Sequence, residues 1–90
     1  MSNAKSQNQE FLQNSLDTLN QVATNQSTPK NIRKSIQDLV NDLKSEEYSM
    51  SVRASNAISL LDDITQDPNV PSYVRVTLWQ AVSTLENIRE

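Results

Sequence analysis

Apolar residues recur every three or four positions along almost the whole chain, and this spacing constrains the fold more than any other feature. No segment shows the strict alternation that is typical of a half-buried strand. The chain has no glycine, and its proline, asparagine, aspartate and serine residues cluster at 25–29, 45–51 and 66–71. Three breaks leave four segments, so the sequence predicts four amphipathic helices near 6–24, 29–46, 50–66 and 71–89.

Each predicted helix carries one apolar stripe, and we expect the four stripes to form the core. The third stripe is widened by Leu60. Thr28 is predicted to cap the second helix with Pro29 at its first helical position, and Ser49 or Ser51 to cap the third. In the absence of glycine, Asn25 is predicted to end the first helix in the left-handed conformation. The stripes are Leu12, Leu16, Leu19, Val22 and Ala23; Ile32, Ile36, Leu39, Val40 and Leu43; Ala54, Ala57, Ile58, Leu61 and Ile64; and Val74, Leu78, Ala81, Val82, Leu85 and Ile88.

The two halves of the chain resemble each other when residue n is set against residue n+42. Pro29 then meets Pro71, Arg33 meets Arg75, and nine of the ten apolar positions in the first unit meet an apolar residue in the second. Two units are fewer than an open repeat array needs. The sequence therefore predicts two similar antiparallel helical hairpins, about 7–46 and 50–89, that fold face to face as a four-helix bundle.

A chain of 90 residues makes one small domain with a single modest core. We therefore treat 1–90 as one all-α domain, and we expect residues 1–6 to be disordered because they are polar and precede the first stripe.

Three runs of sequence, DPNVPSYVR, TLWQAVSTLE and SVRASNAISLLDDI, resemble a family of short archaeal proteins catalogued as uncharacterised. The resemblance extends from about Leu12 to Ile88 and implies a compact all-helical bundle without an assigned substrate. It also implies an Asp-Pro in the first turn, where this chain reads NQSTPKNIR. A looser similarity to the inter-helix turns of HEAT repeats rests on Ile32-Arg33, Val52-Arg53 and Val74-Arg75.

The composition excludes several kinds of chemistry. Without cysteine and histidine the chain forms no disulfide, no thiolate or imidazole metal site, and no Ser/His or Cys/His catalytic pair. Without glycine it has no glycine-rich phosphate loop. The adjacent carboxylates Glu46-Glu47 and Asp62-Asp63 would point about 100° apart on a helix, so neither pair can act jointly as acid and base. We expect no enzymatic activity, no cofactor and no metal.

The N-terminal run MSNAKSQNQ lacks the apolar centre of a secretory signal, and no apolar stretch approaches the roughly 20 residues that span a bilayer. We therefore expect a cytoplasmic protein that is not inserted in a membrane.

The charge balance argues against nucleic acid as a direct partner. The chain carries a formal net charge of −3, whereas phosphate binding usually leaves a basic surface. One local basic set, Lys30, Arg33 and Lys34, supports an alternative in which the protein associates with nucleic acid or the translation apparatus. The same set is also typical of a solvated helix face.

Three arginines each follow a β-branched residue near a predicted helix start. A cation there opposes the helix dipole unless a carboxylate lies nearby. We therefore predict structural ion pairs between Arg33, Arg53 and Arg75 and the carboxylates of Asp17, Asp62, Asp63 and Asp67.

The fourth predicted helix has a second apolar strip beside its core stripe, formed by Tyr73, Val76 and Trp79. Exposed aromatic anchors are enriched at the energetic centres of protein interfaces. The strip favours a non-enzymatic protein-protein interaction module whose partner is another protein or a second copy of the chain. The competing interpretation is that Trp79 packs against a neighbouring helix and covers the core.

Overall fold

The computed structural model describes the backbone of residues 2–89 and the side chains of residues 6–89. It contains four helices, α1 (Ser2–Thr24), α2 (Lys30–Lys44), α3 (Met50–Thr65) and α4 (Ser72–Leu85), and no strand within residues 2–89. The predicted all-α fold with four helices is therefore confirmed.

The predicted outer boundaries differ from the observed ones. α1 begins at Ser2, before the predicted start near residue 6 and within the segment that we expected to be disordered, because this stretch has neither proline nor glycine to interrupt a helix. Met1 lies outside the described residues. α4 ends at Leu85, and residues 86–89 form a turn and a short tail.

The helices form a closed ring in which each helix packs against two others. α1 lies between α2 and α4, and α3 also lies between α2 and α4, whereas diagonally opposite helices hardly touch. Because the connecting loops are short, sequential helices are antiparallel. The bundle measures 43 × 22 × 19 Å.

The core consists of the predicted stripes with few exceptions. Leu12, Ile58 and Ile64 are only half-buried. Leu60 was predicted to widen the third stripe, but it is 46% exposed because it lies off the stripe that faces the ring. The prediction missed five buried residues that follow no helical stripe or are polar: Asn8, Ser15, Thr28, Thr65 and Val70.

The two hairpins bury equivalent positions. At a spacing of 42 residues, buried residues coincide at nine pairs, including Ser15 with Ala57 and Thr28 with Val70. Because the same places are buried in both hairpins, one hairpin serves as an internal reference for the other. The remaining pairs are Leu19 and Leu61, Ala23 and Thr65, Ile32 and Val74, Ile36 and Leu78, Leu39 and Ala81, Val40 and Val82, and Leu43 and Leu85.

The turns within the hairpins also share one geometry. In the first, the Asn25 side chain accepts a hydrogen bond from the Ser27 amide at 2.9 Å; in the second, Asp67 accepts from the Asn69 amide at the same distance. These local side-chain bonds hold the turn without a left-handed residue, and no described residue has a positive φ. The prediction that Asn25 ends α1 in that conformation is therefore wrong.

The capping predictions have mixed outcomes. The Ser49 hydroxyl caps α3 by accepting from the Val52 amide at 3.4 Å. Thr28 does not cap α2: Pro29 occupies the cap position without a side-chain bond, and Thr28 is 2% exposed with a hydroxyl that has no partner. The turn directs Thr28 inward, as it directs Val70 in the second hairpin.

The ring closes between the two ends of the chain. The Asn8 side-chain amide donates to the Arg89 carbonyl at 2.6 Å, and its oxygen accepts from the Arg89 backbone N–H at 3.1 Å. Ile88 beside them is buried. A noncovalent clasp thus joins α1 to the tail of α4, as the 45–49 loop joins α2 to α3.

Candidate interaction surface

An exposed apolar surface lies on the outer side of α4. Tyr73, Val76 and Trp79, which we call the α4 face, are 47%, 50% and 51% exposed. Their i, i+3, i+6 spacing makes a strip that crosses about 120° of the helix surface. The core residues of α4 point into the ring, so the α4 face is left to solvent and Trp79 does not cover the core.

The helix that carries the α4 face has little charge of its own. α4 contains a single charged residue, Arg75, and the other residues around the face are serine, threonine and glutamine. Interface centres are typically depleted in charge and enriched in aromatic residues, and α4 has both properties. By contrast, α2 contains six charged residues, namely Lys30, Arg33, Lys34, Asp38, Asp42 and Lys44.

The first hairpin shows what this fold requires at these positions. The residues of α2 equivalent to Tyr73, Val76 and Trp79 are Asn31, Lys34 and Gln37, and all three are exposed. The same places in the same fold therefore accept polar and charged side chains. The bundle does not need an apolar strip on α4 for its own folding.

The predicted phosphate contacts lie at the start of α2. Lys30 and Lys34 are exposed, whereas Arg33 is half-buried. Lys34 is engaged in the only ion pair among residues 6–89, to Asp38 at 3.9 Å. This pairing weakens the positive charge of the set, and its contact with nucleic acid stays a prediction.

The predicted ion pairs between arginines and aspartates do not form among residues 6–89. Instead, Arg53 donates from Nη1 to the Leu43 carbonyl at 2.8 Å, at the end of α2. Arg75 donates from Nε to the Thr65 carbonyl at 2.7 Å, and from Nη2 to the carbonyls of Asp67 and Val70.

This arrangement has a simple electrostatic reason. The last carbonyls of a helix lack intrahelical partners and form the negative end of its dipole, so a guanidinium is stabilised there. An arginine at the start of one helix reaches the end of the preceding helix across a short turn. Arg33 makes no such bond, and its Nε is buried without a partner; Gln37 donates to the Ala23 carbonyl instead, at 3.4 Å.

A second set of apolar side chains, which the sequence did not predict to be exposed, consists of Tyr48, Val52 and Leu60. Tyr48 lies in the 45–49 loop, where no helical period applies, and Leu60 was assigned to the core. One signal was available: Leu60 aligns with Thr18 in the first hairpin, a position that needs no apolar residue.

The described part of the chain holds neither a metal-binding cluster nor a membrane-spanning helix. Residues 6–89 contain no group of three or more acidic, cysteine or histidine side chains that could hold a metal ion. None of the described helices has the length and apolar character to cross a membrane.

Comparison with known proteins assigns the chain to a family. The model of the uncharacterised protein family UPF0147 matches residues 1–88. A UPF0147 protein of Metallosphaera sedula is 40% identical over 83 residues, covering 92% of this chain and 93% of the relative. One of Sulfurisphaera tokodaii is 35% identical over the same shares of both chains.

A solved structure has the same fold. The crystal structure of a UPF0147 protein from Thermoplasma acidophilum superposes with a TM-score of 0.87 at 31% identity, and it covers 93% of this chain and 99% of its own. The resemblance to short archaeal proteins is thereby confirmed, while the looser likeness to HEAT repeats stays a prediction. This chain belongs to UPF0147, a family of short, all-helical, uncharacterised archaeal proteins.

Proposed function

We propose that the protein is a non-catalytic interaction module that docks onto another protein through the α4 face. The observation that carries this proposal is the contrast between the two hairpins. Tyr73, Val76 and Trp79 are half exposed at positions where the other hairpin exposes Asn31, Lys34 and Gln37. The fold does not need these apolar side chains, and the one charged residue of α4, Arg75, is hydrogen-bonded to backbone carbonyls. Such a surface is typical of a contact site.

The partner surface has a chemistry that follows from the α4 face. A strip with an indole, a phenol and an isopropyl group gains free energy by excluding water from an apolar, uncharged surface. The Tyr73 hydroxyl supplies one polar group at the edge. A second copy of the chain fits the same description, because an uncharged strip can meet its own copy without repulsion.

The first test exchanges the α4 face for its counterpart on α2, with the triple variant Tyr73→Asn, Val76→Lys and Trp79→Gln. Wild-type and variant proteins are used for affinity capture from a nuclease-treated lysate of the source organism and for light scattering after gel filtration. We expect the affinity of the variant for its partner, or for a second copy of itself, to be at least about 30-fold lower than that of wild type. This is the effect of losing a single hot spot.

A matched control removes an exposed apolar residue elsewhere. Val52 is 43% exposed near the start of α3. Val52→Ala is expected to retain binding, and both variants are expected to unfold within about 1 kcal/mol of wild type because exposed positions contribute little to stability. Unchanged binding by the triple variant would refute the proposal.

Trp79 supplies an independent readout because it is the only tryptophan in the chain. Its emission is expected to shift to shorter wavelength, and its quenching by iodide to fall, when the partner covers the α4 face. A partner that is lost on nuclease treatment and whose binding falls steeply with salt would instead favour phosphate contact by Lys30, Arg33 and Lys34.

A further inference from the structure

A groove opens between the end of α2 and the start of α3, away from the α4 face. Its volume is about 180 Å³. Its apolar wall includes Leu39, Leu43, Ala57, Leu60 and Tyr48. Because a cavity of about 150 Å³ can hold benzene, the groove has room for one aromatic ring or branched aliphatic side chain.

The other hairpin junction shows what fills this place. The equivalent end of the bundle lies between α4 and α1, where the counterpart of Arg53 is Phe11 and the counterpart of Glu46 is Ile88. Ile88 is buried and Phe11 packs against the core. Among the described residues, one end therefore packs an aromatic and an aliphatic side chain against the core, whereas the other end carries an apolar groove.

The charges at the groove define what could enter it. Asp42 and Glu47 line the groove, and neither forms an ion pair among residues 6–89. The one cation in the lining, Arg53, already donates to the Leu43 carbonyl at 2.8 Å. The lining thus carries two carboxylates and one guanidinium, and the guanidinium is held by a backbone carbonyl. The net negative charge favours a cationic partner.

We infer that this groove binds an aromatic or branched aliphatic side chain of a basic peptide segment, with Asp42 and Glu47 pairing with lysine or arginine on either side of it. The site is separate from the α4 face and does not depend on the function proposed for that face. In this arrangement one side chain of the peptide enters the groove, and the two carboxylates hold the basic residues on either side of it.

The probe is a capped pentapeptide with phenylalanine between two pairs of lysines, titrated into ¹⁵N-labelled protein. We expect saturable shifts in the amides of Leu43, Tyr48 and Ala57. A peptide with alanine in place of phenylalanine should bind about tenfold more weakly, because it lacks the buried ring. A peptide with glutamates in place of the lysines should also bind more weakly.

Two variants separate the groove from other surfaces. The double variant Asp42→Asn and Glu47→Gln should bind the lysine peptide several-fold more weakly than wild type. The difference in affinity should shrink at high salt. The α4 triple variant should bind the peptide as wild type does, whatever that variant does to the partner of the α4 face.

Three results would overturn the inference. One is the absence of saturable shifts in the groove with a normally dispersed spectrum. Another is a glutamate peptide that binds as well as the lysine peptide. The third is a set of shifts confined to the α4 face.

Discussion

At the scale of single residues, Arg75 contributes to the fold through carbonyl groups rather than through ion pairs. Its guanidinium donates hydrogen bonds to three backbone carbonyls, at the end of α3 and in the following turn. Without Arg75 the carbonyls of Thr65 and Val70 would lose this hydrogen bond, whereas the Asp67 carbonyl also accepts from the Val70 amide at 3.1 Å. Arg33 occupies the equivalent position in the first hairpin without making these bonds, so the two residues form a matched pair.

Replacing Arg75 with alanine is expected to lower the free energy of unfolding by about 2 kcal/mol, because charged hydrogen bonds to the carbonyls are lost. For a domain of this size, the melting temperature should fall by roughly 10 °C. Thermal unfolding followed by circular dichroism measures this. Arg33→Ala should lower the free energy of unfolding by less than half as much. Equal decreases for the two variants would show that the hydrogen bonds to the carbonyls do not stabilise the fold.

Thr28 places a polar side chain at a buried position of the fold. Its hydroxyl is buried without a partner, and the equivalent residue in the second hairpin is the buried Val70. Thr28→Val keeps the shape and removes the unpaired hydroxyl, so it should raise the free energy of unfolding by about 1 kcal/mol.

The reverse exchange is the control for Thr28. Val70→Thr should lower the free energy of unfolding by a similar amount, because it buries a hydroxyl in the same kind of site. Chemical denaturation gives both values. A Thr28→Val protein that is less stable than wild type would show that the hydroxyl has a stabilising partner in solution.

At the scale of elements, the helices and most of the core could be predicted because period 3.6 is a local property of the sequence. The stripe of α2 is buried in full, as predicted. The stripe of α3 was harder to define, since Leu60 and Leu61 are adjacent apolar residues and only Leu61 faces the ring. Spacing alone does not decide between neighbours when both are leucine.

The features that could not be predicted depend on contacts between elements. The pairing of arginines with carbonyls requires knowing which helix end lies across the turn. The clasp between Asn8 and Arg89 joins residues 81 positions apart. The exposure of Trp79 was left open by its sequence because a helix flank can face either a neighbour or solvent, and only the packing of α4 against α1 and α3 decides it.

At the scale of the whole molecule, the two hairpins make a ring with one covalent and one noncovalent junction. The 45–49 loop links α2 to α3, and Asn8 with Arg89 links α1 to the tail after α4. The burial pattern is alike on both sides of the ring. The fold should therefore depend on the ring of contacts rather than on which junction is covalent.

A circular permutant tests this dependence. New ends are placed between Glu46 and Glu47, which leaves Ser49 free to cap α3, and residue 89 is joined to residue 2. α1 runs six residues from Asn8 back to Ser2, about 9 Å, and a flexible linker of about six residues spans roughly 13 Å. We expect the permutant to unfold cooperatively with a melting temperature within about 5 °C of wild type, measured by circular dichroism and calorimetry.

The control permutant uses the same linker but opens the chain between Ile36 and Gln37, in the middle of α2. It should fail to fold, because the cut removes helical hydrogen bonds beside the fully buried Ile36. If the permutant opened in the loop also loses cooperative unfolding and binds a hydrophobic dye, the 45–49 connection itself, and not the ring of contacts, holds the bundle together.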